Sequence, residues 1–175
     1  DRTKSACSAV DVPRPDQGAY KNSECEKWRE NSIKRIQKLQ PVAVITSSFQ
    51  HFTAPRGFSS RAQWWNEGQR RLLSDLQGSS KNIIYISDTP HPLRDIPNCL
   101  ATKELSKCNT TEITPNVVIP GFKQIDPTSW LCTDSCPAIK DGYVAYRDAS
   151  HISVDAALGL KPLLENALKD KGLFS

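Results

Sequence analysis

Two short apolar runs constrain this chain more than any other feature. Val42-Ala43-Val44-Ile45-Thr46 and Asn82-Ile83-Ile84-Tyr85-Ile86-Ser87 are continuous and rich in β-branched residues, the pattern of strands buried on both faces of a parallel sheet. Between them lies a segment with its own helix signals. Ser60 followed three residues later by Gln63 reads as a capping box, Trp64, Trp65, Leu72, Leu73 and Leu76 recur at helical spacing, and Gly78 supplies a stop. Strand, helix, strand with a crossover of this length is a right-handed βαβ unit. The sheet is therefore parallel, and helices cover it.

The flanks extend the same theme. Ser23 and Glu26 form a second capping box ahead of Trp28, Ile33, Ile36 and Leu39, and Pro41 ends that helix. Residues 1–19 read as a strand end followed by a long loop. Residues 88–141 form an irregular insert, Gly142-Tyr143-Val144-Ala145-Tyr146 is a third strand candidate, and a C-terminal helical region runs from Ser153. Pro162 is expected to break or kink that region and Gly172 to close it. With 175 residues and 38% hydrophobic content the chain has material for one core, so residues 1–175 are expected to form a single three-layer α/β domain.

Composition removes several functional classes. No run approaches the roughly 18 apolar residues of a membrane helix, so this segment is not expected to span a bilayer. The net charge is only +4 with the basic residues scattered, which gives nucleic-acid binding no support. The three histidines, His51, His91 and His151, carry no ligand motif, and neither a metal nor another cofactor is expected. The chain has no methionine, and Asp1-Arg2-Thr3-Lys4 shows no apolar signal core; the reading is a processed chain or a piece of a longer one, with functional residues allowed upstream of Asp1.

Six cysteines, Cys7, Cys25, Cys99, Cys108, Cys132 and Cys136, point to disulfides and an oxidising compartment. Fifteen pairings are open to them, of which the simplest joins sequence neighbours. A zinc site is the weaker alternative, because only Cys132 and Cys136 have half of a ligand spacing.

In a parallel α/β sheet ligands bind beyond the carboxyl ends of the strands. That rule directs attention to Ser47, Ser48, Gln50 and His51 after one strand, Asp88 and His91 after the next, and Asp148 and His151 before the last helix. In Asp148-Ala149-Ser150-His151 a tight turn lets the carboxylate accept a hydrogen bond from imidazole Nδ1, leaving Nε2 to take a proton from a hydroxyl. Spacing alone favours the plainer reading, a helix cap with a solvated histidine. Asp88-Thr89-Pro90-His91 repeats the spacing, but its flanking prolines favour a structural turn. Trp28 and one of the Trp64-Trp65 pair fit core positions, whereas Trp130 stands in a loop that could face a cleft and stack on a sugar.

Taken together, several stretches resemble a known family, the extracytoplasmic SGNH-hydrolase-like domain fused to membrane-bound acyltransferase-3 proteins. They are Lys4-Ser5-Ala6-Cys7, Cys25-x-x-Trp28-Arg29, Pro41 to Ile45, Ser87-Asp88-Thr89-Pro90 with Cys99-Leu100, Asp126 to Cys132 with Cys136-Pro137, and Tyr146-Arg147-Asp148-x-x-His151. The resemblance implies a three-layer α/β/α SGNH-hydrolase-like (flavodoxin-like) sheet, neighbour-paired disulfides, and Asp148 and His151 as two members of a Ser-His-Asp triad. One departure is pronounced. The family's nucleophile lies in a Gly-Asp-Ser-His stretch on its first strand, and this sequence contains no such stretch, so that strand and its serine are expected upstream of Asp1. For the oxyanion hole or substrate contacts the candidates are Ser48, Ser5 and Trp130.

The resemblance further implies O-acylation, usually O-acetylation, of a cell-envelope glycan, with the acyl group delivered by a membrane-embedded acyltransferase domain. Glycan acceptor and acyl donor are the expected partners. The location is extracytoplasmic, periplasmic or cell-surface, with tethering through an upstream transmembrane region. Two other readings stand beside it: a carbohydrate esterase of the same superfamily, and a non-catalytic glycan-binding or docking domain suggested by the absent serine.

Overall fold

The computed structural model describes residues 3–4, 7–12, 18–50, 52, 54, 56–110, 113, 116 and 118–174, with the side chains of 18–22 left aside. Ser5 and His51 lie outside the described residues. The chain divides into two compact units, Asp1–Ser87 with Val117–Gln124, and Asp88–Asn116 with Ile125–Ser175.

The first unit contains the βαβ element expected from the sequence. Helix α1 (Gly18–Leu39) leads to strand β1 (Val44–Ser47), helix α2 (Arg61–Leu76) and strand β2 (Ile83–Ile86). Strands β1 and β2 pair in parallel, Val44 with Ile83 through Ser47 with Ile86. The turn into β2 is stapled to the approach to β1, since Ser80 Oγ donates to the Val42 carbonyl at 3.0 Å and the Asn82 amide donates to Ser80 Oγ at 3.1 Å. At the start of α2, Ser60 Oγ accepts from the Gln63 amide at 3.1 Å, the capping bond the sequence predicts. Gln63 Oε1 in turn accepts from the amide of Ser59, one residue ahead of the cap. Gly78, at φ +80°, follows the helix end.

The core of this unit joins α2 to the N-terminal segment. Val10, Val12, Val44, Trp64, Trp65, Leu72 and Leu76 are buried together. Gly68 makes that approach possible: a Cβ there would stand 2.5 Å from Val12 Cγ1 and 2.7 Å from the Asp11 carbonyl. Asp11 is then gripped from two helices, by Arg29 Nη1 at 2.8 Å and Arg71 Nε at 2.5 Å.

Four expectations are corrected here. Helix α1 begins at Gly18, so Ser23 lies within it rather than capping it. Both Trp64 and Trp65 are buried, in edge-to-face contact, not one of the two. Strand β1 is not buried on both faces: Ile45 is 47% exposed, because the sheet order β1-β2-β3 leaves β1 at an edge. The third strand of this sheet is β3 (Lys123–Ile125), inside the segment read as irregular.

In the second unit, helix α3 (Ile96–Thr102) is capped by Asp95 and followed by a 3-10 turn, and helix α4 (Thr128–Leu131) precedes strands β4 (Ile139–Lys140) and β5 (Tyr143–Val144). Residues 142–146 were expected to add to the parallel sheet. They form instead the second half of an antiparallel hairpin, turning at Asp141 (φ +52°) and Gly142 (φ +83°). Two left-handed residues between paired Lys140 and Tyr143 make the two-residue turn that Asp-Gly favours.

Helix α5 (Val154–Asp170) is continuous through Pro162, which is exposed on the helix and does not break it. Gly172, at φ +84°, closes the helix, with the Leu173 amide returning to the Leu168 carbonyl at 3.0 Å. All three neighbour disulfides are present, Cys7–Cys25, Cys99–Cys108 and Cys132–Cys136. The last two lie in the second unit, whose strands are only two residues long. Short closed loops of this kind stabilise such a segment by roughly 2 to 3 kcal/mol each.

Candidate functional site

The chain leaves β5, pairs Tyr146 with Ile152 across an isolated bridge, and closes the intervening turn with a 2.9 Å bond from the Arg147 amide to the His151 carbonyl. Asp148, Ala149 and Ser150 are the top of that turn. Ser153 then caps α5, accepting from the Ala156 amide at 3.1 Å. A buried Tyr146 below and a capped helix after it fix both ends of the loop.

Inside the turn both carboxylate oxygens of Asp148 are engaged. Its Oδ1 accepts from the backbone amides of Ser150 and His151, each at 2.8 Å, and its Oδ2 stands 2.8 Å from His151 Nδ1. The Ser150 and His151 amides, followed by the imidazole, hold the Asp148 carboxyl well below the usual carboxylate range. An ionised carboxylate at that distance makes Nδ1 the protonated nitrogen. In the neutral ring Nε2 then carries the lone pair, and the His151 side chain is 61% exposed.

The second Asp-x-x-His stretch is built differently. His91 is buried and presents Nε2, not Nδ1, to Asp88 Oδ2 at 3.4 Å. The nitrogen that a base would use is turned to the carboxylate. Asn116 organises the neighbourhood, its Nδ2 lying 3.1 Å from the Asp88 carbonyl and 2.8 Å from Asp126 Oδ1.

The other sequence candidates fall as follows. Ser48 is in the first unit, where its Oγ accepts from the Ala9 amide at 3.0 Å and pairs with Ser8 Oγ at 3.0 Å. Trp130 is half-buried on α4 in the second unit. The sequence reading did not single out Ser150 or Arg147. Ser150 Oγ lies 3.3 Å from Asp148 Oδ1 and 3.2 Å from His151 Nδ1, and Arg147 Nε stands 3.6 Å from Asp148 Oδ2. Their signal was local: an Asp whose side chain accepts from the residue two positions on is an ordinary turn-former.

The first unit also carries a groove of about 470 Å³ against β1, lined by Trp28, Ile33, Ile36, Ile45, Leu72 and Leu76 among others. Arg29 and Thr46 reach its wall, and Arg29 Nε and Thr46 Oγ1 are buried without a hydrogen-bond partner. Because the Val44 amide bonds to Asn82, the amides of Ile45 and Ser47 point to the edge of β1 that carries no strand among the described residues.

A parallel βαβ sheet flanked by helices is the core of an α/β fold of the SGNH type. The chain belongs to the family described as SGNH domain (fused to AT3 domains), whose model matches residues 2–166. No curated protein matches the sequence. Among solved structures the chain is similar to the periplasmic domain of the lipopolysaccharide acetyltransferase of Salmonella ser. Paratyphi A, with a TM-score of 0.61 at 16% identity. That likeness covers 94% of this chain and 67% of the Salmonella chain, and concerns the fold.

Proposed function

We propose that this chain is the extracytoplasmic domain of an acyltransferase-3 protein and takes part in O-acylation of a cell-envelope glycan. The observation that carries the reading is the clamp of His151 Nδ1 by Asp148, which leaves Nε2 free to act as a base. A serine hydroxyl gives its proton to Nε2 while its oxygen attacks the carbonyl of an acyl donor. The donor's leaving group takes the proton back from the imidazolium, leaving an acyl-serine. A sugar hydroxyl then loses its proton to Nε2 and attacks the acyl carbonyl, and the expelled serine oxygen takes that proton back from the imidazolium. Asp148 stays ionised throughout and stabilises the imidazolium.

The serine belongs, in this reading, to a strand of the parent polypeptide ahead of Asp1. The free edge of β1, the groove beside it and the exposed Ile45 support the addition of a strand to the first unit's sheet. Ser48 is our candidate for an oxyanion contact and Trp130 for a sugar contact; Ser5 is retained on sequence alone. Three disulfides, fusion of the family to acyltransferase-3 domains, and a periplasmic structural relative support an extracytoplasmic location, with the membrane part delivering the acyl group. No described helix is long and apolar enough to cross a membrane.

The test is glycan acylation in cells carrying His151→Ala in the full acyltransferase. Loss of the acyl groups with normal protein level is expected, and unchanged acylation would overturn the proposal. The exposure of His151 also admits water to the Nε2 side, which favours a carbohydrate esterase as the second reading. Comparing hydrolysis with transfer, with and without a glycan acceptor, separates the two.

A further inference from the structure

On the first unit, away from β1, lies a second cleft of about 470 Å³ that sequence reading did not anticipate. Its walls come from the end of α2, the turn into β2, and β3. Three cations stand around it, Arg70, Lys81 and Lys123, and no carboxylate lines it among the described residues. Lys123 is anchored, its Nζ donating to Asn82 Oδ1 at 2.8 Å. Arg70 and Lys81 have no side-chain partner among the described residues. Leu73 and Ile83, both half-buried, supply the apolar part of the lining, and Ser74 and Gln77 line it as well.

Closeness of the wall is set by Gly121, at φ +94°: a Cβ there would stand 2.8 Å from Leu73 Cδ2. The cleft thus combines apolar side chains, which suit the carbon face of a pyranose ring, with the exposed cations Arg70 and Lys81. A neutral ligand would leave those cations unused, and a flat lipid surface would not use apolar side chains half-buried in a cleft.

We propose that this cleft is a binding site for an anionic saccharide, one carrying uronate or phosphate groups. The inference rests on the glycan-acylating reading above and narrows its acceptor to acidic glycans. The cations hold the acid groups while the sugar ring lies on Leu73 and Ile83, so the cleft retains the polymer whose hydroxyl is to be acylated.

The test is equilibrium binding of the 175-residue chain to an oligogalacturonate hexamer, to maltohexaose, and to vesicles of phosphatidylcholine with phosphatidylglycerol. Arg70 and Lys81 are exposed, so the double variant R70A/K81A retains the core. The uronate hexamer is expected to bind, the neutral hexamer not, with R70A/K81A weakening binding about tenfold or more and added salt acting the same way. Equal binding of maltohexaose, binding unchanged in R70A/K81A, or binding of the anionic vesicles alone would overturn the proposal. His151→Ala is expected to leave binding intact. A chain that binds uronate while His151→Ala stays active in cells would therefore sink the catalytic reading and not the binding site.

Discussion

His151 Nδ1 stands 2.8 Å from Asp148 Oδ2, while the backbone of the same turn occupies Oδ1. The carboxylate therefore has one oxygen committed to shaping the loop and one committed to the ring. Replacing it disturbs both functions.

Asp148→Asn is accordingly expected to cost about 10^3- to 10^4-fold in kcat for acyl transfer, close to the loss in His151→Ala. The double variant should be little worse than either, because the two groups act as a unit. Single-turnover transfer rates of the three variants check this, and independent, multiplicative losses would contradict it.

The Asp148 carboxyl should remain ionised far into acid. Its folded pKa is depressed, so its contribution to stability is whole above the unfolded value of about 3.9 and is lost as pH falls from there towards the lower folded value. Carboxyl carbon chemical shifts followed down from neutral pH should show no Asp148 step between about pH 7 and pH 4. A midpoint near the ordinary aspartate value would mean that the two amide bonds are absent in solution.

Tyr146 behaves in the opposite sense. Burial pushes its phenol up to about 12, and its hydroxyl has no hydrogen-bond partner among the described residues. A raised folded pKa gives stability that is whole below the unfolded value of about 10 and is lost as pH rises from there towards the folded value. Tyr146→Phe should keep stability at neutral pH within about 1 kcal/mol and remove this part of the alkaline loss. Denaturant midpoints at neutral and alkaline pH measure it; a large neutral-pH loss would reveal a partner for the hydroxyl.

Asp11→Ala leaves the buried Arg29 guanidinium without its nearest carboxylate. Burial already lowers the pKa of Arg29, and Asp11 is the largest influence opposing that. Breaking such a pair costs about 3 kcal/mol when fully buried, and Asp11 is a third exposed, so about 2 kcal/mol is expected here. Urea unfolding measures the loss, and a value near zero would show that the clamp on the N-terminal segment contributes nothing.

What was legible in the sequence follows the strength of local signals. The βαβ element was readable because its strands are unbroken apolar runs and Ser60 and Gln63 sit at cap spacing. Lys123-Gln124-Ile125 was not, since a three-residue strand with one buried side chain carries no period. Residues 142–146 misled because a hairpin arm and a short parallel strand have the same composition; the Asp141-Gly142 turn was the signal that separates them. The exposure of Ile45 was invisible because it depends on what lies beside β1. At the candidate site, spacing alone favoured a cap with a solvated histidine at Asp148 and His151, and their proposed roles came from the family resemblance; the same spacing at Asp88 and His91 presents the opposite ring nitrogen, a distinction only coordinates supply.

The most direct test of the account is labelling of the full acyltransferase with a serine-reactive fluorophosphonate, comparing wild type with His151→Ala. One label on a serine ahead of Asp1, formed rapidly in the wild type and lost in the variant, is the predicted result. No label, or a label formed at the same rate without His151, would contradict the assignment of His151 as the base.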